Sequence, residues 1–107
     1  MLSGYERAYK EIVPAARAAL IIELNKKYNI KEELISKYVG ITQAAISKYL
    51  NGRYSARIKE IVEKIDKATI ETYAEKIANG HPEAINKYLC TICNAMNDFD
   101  CRFSANK

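Results

Sequence analysis

Residues 32–51 read EELISKYVGITQAAISKYLN, and this stretch decides the fold. Apolar residues recur at spacings of three and four on both sides of Gly40, as they do along one face of an α-helix. A glycine after such a stretch commonly ends a helix in the left-handed conformation, and Thr42 is a preferred N-cap for the next helix. The stretch therefore predicts two short helices, at residues 31–39 and 43–50, joined by a tight turn.

The side chains of this segment divide into an inner and an outer set. Ile35, Val39 and Ile46 fall on the inner faces, Ile41 and Tyr49 flank them, and Ser36 is small where the two helices cross. The outer set consists of the remaining side chains at the start and along the exposed face of the second helix: Thr42, Gln43, Ala44, Ser47 and Lys48.

This segment resembles the helix-turn-helix of the lambda-repressor and Cro-like (XRE-type) family of DNA-binding regulators. The resemblance implies that the second helix, residues 43–50, enters the major groove of double-stranded DNA. The outer side chains suit that role, because Gln43 can pair with adenine, Ser47 and Thr42 can donate or accept, and the Ala44 methyl can touch thymine. Lys48 can reach guanine or a phosphate. We expect Gln43 and Ser47 to contact bases.

The residues after the second helix have the chemistry of phosphate contacts. Asn51, Arg53 and Tyr54 follow it directly, and we extend the same hypothesis to Arg57. Such contacts fix the position of a protein on DNA without distinguishing sequences. A helix-turn-helix used only for protein contacts is the alternative interpretation of the same segment.

A second resemblance covers a longer part of the chain. VPAARAALIIELNKKYNI at residues 13–30, followed by VGITQAAISKYL at 39–50, is similar to a group of small archaeal predicted transcriptional regulators, with a weaker similarity in LCTIC at 89–93. Members of that group often carry a further cysteine near the N-terminus, which is lacking here. That Cys101 substitutes for it is a hypothesis.

The charge distribution agrees with a DNA-binding first half. The chain of 107 residues has 17 Lys and Arg against 13 Asp and Glu, a net charge of +4, and the whole surplus lies in residues 1–54. No acidic residue occurs from Leu34 to Lys59, where a carboxylate would repel phosphate.

The rest of the sequence predicts helices and no sheet. We expect a short helix at residues 5–13, a helix opened by Pro14, and an amphipathic stretch from Ser55 that forms one helix or two. After Asn79-Gly80, Pro82 opens a last helix that runs to about Asn97. The predicted fold class is an all-α helix-turn-helix bundle with a C-terminal helical segment.

We predict two functional parts, a DNA-binding head at residues 1–54 and a helical tail with cysteines at 55–107. The apolar stripe of the tail is predicted to be either core or a subunit interface, and it comprises Ile58, Ile61, Val62, Ile65, Ala68, Tyr73 and Ile77. Helix-turn-helix proteins generally present two recognition helices to a two-fold site, so we expect a homodimer formed through the tail.

Three cysteines lie in the last fifth of the chain. Cys90 and Cys93 are three residues apart on one helical face, and Cys101 follows. Three interpretations stay open: a zinc ion or iron–sulfur cluster, with a redox- or metal-sensing role; a disulfide, for example between Cys93 and Cys101; and packed thiols. A metal site would need a further ligand, for which His81, Asp98 and Asp100 are candidates.

Several classes of function are excluded or disfavoured. No apolar run is long enough to span a bilayer and the first residues lack a signal-peptide pattern, so a cytoplasmic protein is expected. No pair of base and nucleophile and no small-molecule site is evident, so we expect no enzyme. A redox enzyme that uses Cys90 and Cys93 lacks the strand context of such sites. An antitoxin-like or protein-interaction module with secondary DNA binding is the main alternative.

Overall fold

The computed structural model describes residues 8–97 of the chain. Within that range a single π-helical turn, Ala8–Ile12, leads into six α-helices and there is no strand. The helices are α1 (Val13–Lys26), α2 (Glu32–Val39), α3 (Gln43–Leu50), α4 (Ala56–Lys64), α5 (Lys67–Ala78) and α6 (Ala84–Asn97). The predicted all-α fold is therefore confirmed. The predicted helix at residues 5–13 lies partly outside the described residues.

Helix α1 is the central helix of the bundle, with Pro14 in its first turn. It contacts the π-helical turn and each of the five other α-helices. The buried residues of α1 surround its axis and include four alanines, which let neighbouring helices approach closely: Ala15, Ala16, Ala18, Ala19, Leu20, Ile21 and Leu24. Buried positions all around the axis are typical of a helix at the centre of a bundle.

The turn between α2 and α3 has the predicted geometry. Gly40 lies in the left-handed region at φ 81° and donates its N–H to the carbonyl of Ser36 across 2.9 Å. Thr42 is extended and caps α3, since its Oγ1 accepts from the N–H of Ala45 across 3.1 Å. The two helices pack directly against each other.

The stretch after Ser55 forms two helices, not one. Ser55 caps α4 by accepting from the N–H of Ile58, and Asp66 caps α5 by accepting from the N–H of Thr69. Between them Ile65 is extended at ψ 137°. Asp66 explains the helix break. An Asp side chain that accepts a hydrogen bond from the backbone N–H three residues later favours the start of a new helix.

The hydrophobic core is continuous from Ile12 to Cys93 and contains residues of both predicted parts. Of the predicted apolar stripe, Ile58, Ile61, Ile65 and Ile77 are buried in this core, whereas Ala68 is exposed. The stripe is thus mainly core within one chain. The division into a head and a tail at residue 54 stays a prediction about function.

Helix α6 is tied to the central helix by a buried hydrogen bond. The Tyr88 hydroxyl donates to the carbonyl of Ala16 across 2.7 Å, and the Tyr88 ring lies 5.6 Å from that of Tyr73. Burial raises the pKa of the Tyr88 hydroxyl above its ordinary value. The hydroxyl therefore remains a donor, and it fixes α6 and its cysteines relative to α1.

Candidate nucleic-acid interface

Helix α3 is held by one face and presents the other. Ile46 is fully buried, and Tyr49 and Leu50 are half-buried and pack against the core. Gln43, Ala44 and Lys48 are exposed. The inner face of the second helix is therefore as predicted, and of the predicted outer set Ser47 is half-buried while the other four residues are exposed.

The N-terminal end of α3 combines short exposed side chains with an unobstructed first turn. Thr42, Gln43 and Ala44 are exposed at this end, and the first turn contains no acidic residue. The positive end of the helix dipole lies here and favours an anion such as a phosphate. The arrangement suits a helix that approaches a polyanion with its N-terminus first.

Two of the predicted site residues bond to each other on the exposed face. The Asn51 side-chain amide Nδ2 donates to Ser47 Oγ across 3.3 Å, and the backbone N–H of Asn51 donates to the carbonyl of Ser47. Because Ser47 Oγ serves as acceptor in this bond, its hydroxyl proton remains available for donation. Asn51 therefore orients Ser47 in addition to any contact of its own.

The turn after α3 directs Arg53 back toward the helix. Gly52 adopts φ 71°, and the N–H of Arg53 donates to the carbonyl of Lys48 across 2.9 Å. Arg53 is exposed. The turn thus brings its guanidinium and the Lys48 ammonium to the same end of α3.

A basic cleft of about 160 Å³ lies at this end. Its lining consists of the last turns of α3 and the residues just after it: Ala45, Lys48, Tyr49, Arg53 and Tyr54. The rings of Tyr49 and Tyr54 are 5.8 Å apart and tilted by 48°. Lys59 Nζ lies 5.7 Å from the centre of the Tyr54 ring on the α4 side.

Lys59 is a candidate phosphate contact that the sequence did not single out, since it appeared there only as the end of the acid-free interval. It lies in the first turn of α4, where its N–H donates to the carbonyl of the cap residue Ser55 across 3.0 Å. With Lys48 and Arg53 it gives three cations around two tyrosines.

Arg57 does not share this exposed surface freely. Its Nε lies 3.3 Å from Glu11 Oε1, and Nη1 of the same guanidinium lies 3.2 Å from Glu60 Oε1. The two carboxylates, Glu11 foremost, raise the pKa of Arg57. The proposed phosphate contact at Arg57 is thus disfavoured, because its charge is already used to join α4 to the π-helical turn.

The cysteines form a separate feature on α6. Cys93 is only 6% exposed and packs in the core, whereas Cys90 is half-buried, with its Sγ 3.8 Å from Asn94 Nδ2. Cys101 and two of the candidate ligands, Asp98 and Asp100, lie outside the described residues. His81 pairs with Glu83 across 3.2 Å and lowers the pKa of that carboxyl, together with a stronger hydrogen bond from the backbone N–H of Glu83. Within residues 8–97 no three potential metal ligands converge.

No helix in the described part of the chain is both long enough and apolar enough to cross a bilayer.

No curated protein and no solved structure matched the chain significantly. Residues 21–67 match the family model described as Helix-turn-helix, a family of DNA-binding regulatory domains. The match begins within α1 and ends at the start of α5, so it contains α2, α3, the basic cleft and Lys59. The matched residues and the α2–turn–α3 geometry agree, so this part of the chain is similar to that family in sequence and has a helix-turn-helix arrangement.

Proposed function

We propose that the protein is a sequence-specific transcription regulator that inserts α3 into the major groove of double-stranded DNA. The observation that carries the proposal is the exposed face of α3 beside the basic cleft. Ile46 fixes the opposite face in the core, so that the exposed side chains keep a defined register. Rigid placement of this kind is what base discrimination requires.

Base contacts are assigned to the N-terminal half of the exposed face. Gln43 carries an amide that donates and accepts, which matches the N6 and N7 atoms of adenine. Ser47 Oγ accepts from the Asn51 amide, so its own proton remains available for donation. Thr42 contributes less, because its Oγ1 already accepts from the backbone of α3. Ala44 offers a methyl group to thymine.

Phosphate contacts are assigned to the basic cleft. Lys48, Arg53 and Lys59 surround Tyr49 and Tyr54, and none of the three cations forms an ion pair within the described residues. Cations without protein counter-ions can neutralise phosphate and release its bound counter-ions. Asn51 lies at the edge of the same turn and adds a neutral donor.

Titration of a mixed-sequence duplex at several salt concentrations tests the phosphate assignment. Each neutralised phosphate contributes about −0.9 to the slope of log K against log[salt], so three cations per copy give a slope near −2.7. A protein-interaction or antitoxin-like module would give little binding and a flat salt dependence. The predicted alternative would then replace DNA binding as the main function.

A homodimer belongs to the proposal, since one short recognition helix contacts only a few base pairs. Two copies related by a two-fold axis match a site with two-fold symmetry. Ile58, Ile61 and Ile65 are buried in the core of one chain and cannot contact a second copy. The predicted stripe as a whole therefore cannot form the dimer interface.

The cysteines extend the proposal to a redox or metal response. Cys90 and Cys93 share one side of α6 three residues apart, and Tyr88 links that helix to α1. With Cys101 as a further ligand, a zinc ion bound there would supply a charge, and an iron–sulfur cluster would supply a charge and a redox state. Either would act on α1 through α6. Anaerobic purification with metal and sulfide analysis of the wild type and of Cys90→Ala tests this. The metal or redox response would be rejected if the protein contained no metal and if neither the substitution nor added reductant changed its affinity for DNA.

A further inference from the structure

A groove of about 230 Å³ runs between α1, α4 and α5. No residue of α2 or α3 lines it, so it is distinct from the face proposed to meet DNA. Its apolar lining comes from all three helices and from the turn before α5: Ala19, Ile22, Val62, Ile65 and Ile70. Ile22 and Val62 are half-buried and form the accessible part of this lining.

The border of the groove carries charges of both signs. Glu23 is paired with Lys27 across 3.8 Å. Glu63, Lys67 and Glu71 are exposed, and in the part of the chain that the structure describes none of them forms an ion pair. An apolar centre with mixed charges at its edge has the composition of a protein interface.

We infer that this groove is the surface through which two copies of the chain associate about a two-fold axis. This interface rests on the proposed function, because binding to a two-fold DNA site is what requires a second recognition helix. A two-fold interface must be complementary to itself. Each contact between two different residues therefore occurs twice, with the roles of the two copies exchanged. The border meets this condition, because Lys67 can face the partner's Glu71 while Glu71 faces the partner's Lys67.

Other occupants fit the groove less well. DNA and acidic partners are repelled by the carboxylates of Glu63 and Glu71, whereas a partner with only basic side chains leaves Lys67 without an opposite charge. The exposed large hydrophobic side chain elsewhere in residues 8–97 is Leu34 at 41%, and it lies on α2 with Lys31, Glu33 and Lys37 around it. The groove collects more apolar surface at one place than the Leu34 site does, and it includes Val62 from the stripe predicted for dimerisation.

Sedimentation equilibrium of the full chain without DNA tests the inference. The wild type is expected to dimerise in the micromolar range. Val62→Lys places a charge in the apolar centre and should weaken the dimer at least about tenfold. Leu34→Lys is the control, since it replaces an accessible apolar side chain outside the groove by Lys, and its dimer should equal that of the wild type.

A charge exchange on exposed residues gives a second test that does not depend on packing. Lys67→Glu alone sets two like-charged contacts across the two-fold axis and should weaken the dimer about tenfold. Lys67→Glu combined with Glu71→Lys restores opposite charges and should recover most of the affinity. A monomeric wild type at several hundred micromolar, a dimer that none of the groove variants weakens, or a double variant weaker than Lys67→Glu would each overturn the inference.

The two proposals fail in distinguishable ways. If the wild type dimerises through the groove and no duplex binds, the proposed function fails and the interface stands. If a duplex binds with the expected salt dependence and Val62→Lys leaves the dimer intact, the interface fails and DNA binding stands.

Discussion

Asn51 and Ser47 are joined side chain to side chain across 3.3 Å on the exposed face of α3. Sequence chemistry assigns Asn51 to phosphates and Ser47 to bases, yet in the structure the first orients the second. Under the proposed function, Asn51 should therefore affect which base Ser47 selects.

This link predicts coupled effects of substitution at the two positions. Ser47→Ala removes the base contact, and Asn51→Ala releases the Ser47 hydroxyl, so both should relax preference at the same base pair. The double variant should be little weaker than Ser47→Ala, with a coupling energy of about 0.5 kcal/mol or more in a double-mutant cycle of duplex affinities. Losses that simply add would show that Asn51 acts independently.

Arg53 and Arg57 form a matched pair with different expected roles. Arg53→Gln removes a cation of the basic cleft and should weaken every duplex to a similar degree, with a salt slope smaller in magnitude by about 0.9. Arg57→Gln removes a cation that Glu11 and Glu60 already neutralise, so its effect on the slope should be clearly smaller. Equal reductions in slope would mean that Arg57 leaves its carboxylates to bind phosphate.

Substitution of Gly40 should destabilise the fold through backbone strain alone. Its φ is +81°, and a methyl group added at Cα would meet no atom within 4 Å. Gly40→Ala should therefore cost about 1–2 kcal/mol of unfolding free energy from left-handed strain without steric clash. Gly40→Asn should cost less, because Asn tolerates this conformation better. Urea titration of the two variants measures the difference, and equal stabilities would contradict the strain argument.

The hydrogen bond between Tyr88 and Ala16 predicts a specific loss of stability. Tyr88→Phe keeps the ring and removes a buried donor, and should lower the unfolding free energy by about 0.5–1.5 kcal/mol. Tyr73→Phe is the control, since Tyr73 is half-buried and its hydroxyl forms no hydrogen bond within residues 8–97. A loss at Tyr73 as large as that at Tyr88 would assign the effect to the rings.

Local sequence was sufficient to predict those features of the fold that depend on residues close together in the chain. Gly40 and Thr42 determine the turn and the start of α3, since a left-handed glycine and an N-cap act over four residues or fewer. The outer face of α3 followed from the same pattern, because the buried Ile46 leaves the positions around it exposed. The exposed residues of the candidate site were predictable for this reason.

Features that depend on the packing of distant helices were not predictable. Burial of α1 on all sides results from five helices meeting around its alanines. The pairing of Arg57 with Glu11 joins residues 46 positions apart in sequence, so no local pattern indicates it. The amphipathic period after Ser55 continues through the break at Ile65, so it did not separate α4 from α5 or core from interface.

The most direct test of the central claim is selection of binding sites from a randomised duplex library by the full chain, with Gln43→Ala selected in parallel. The proposed function predicts enrichment of one motif by the wild type, and loss of preference at one base position in each half-site with Gln43→Ala, at a cost of about 1–3 kcal/mol on the wild-type motif. Selection of no motif by the wild type, or of the same motif with equal affinity by Gln43→Ala, would contradict the assignment of α3 as the helix that distinguishes DNA sequences.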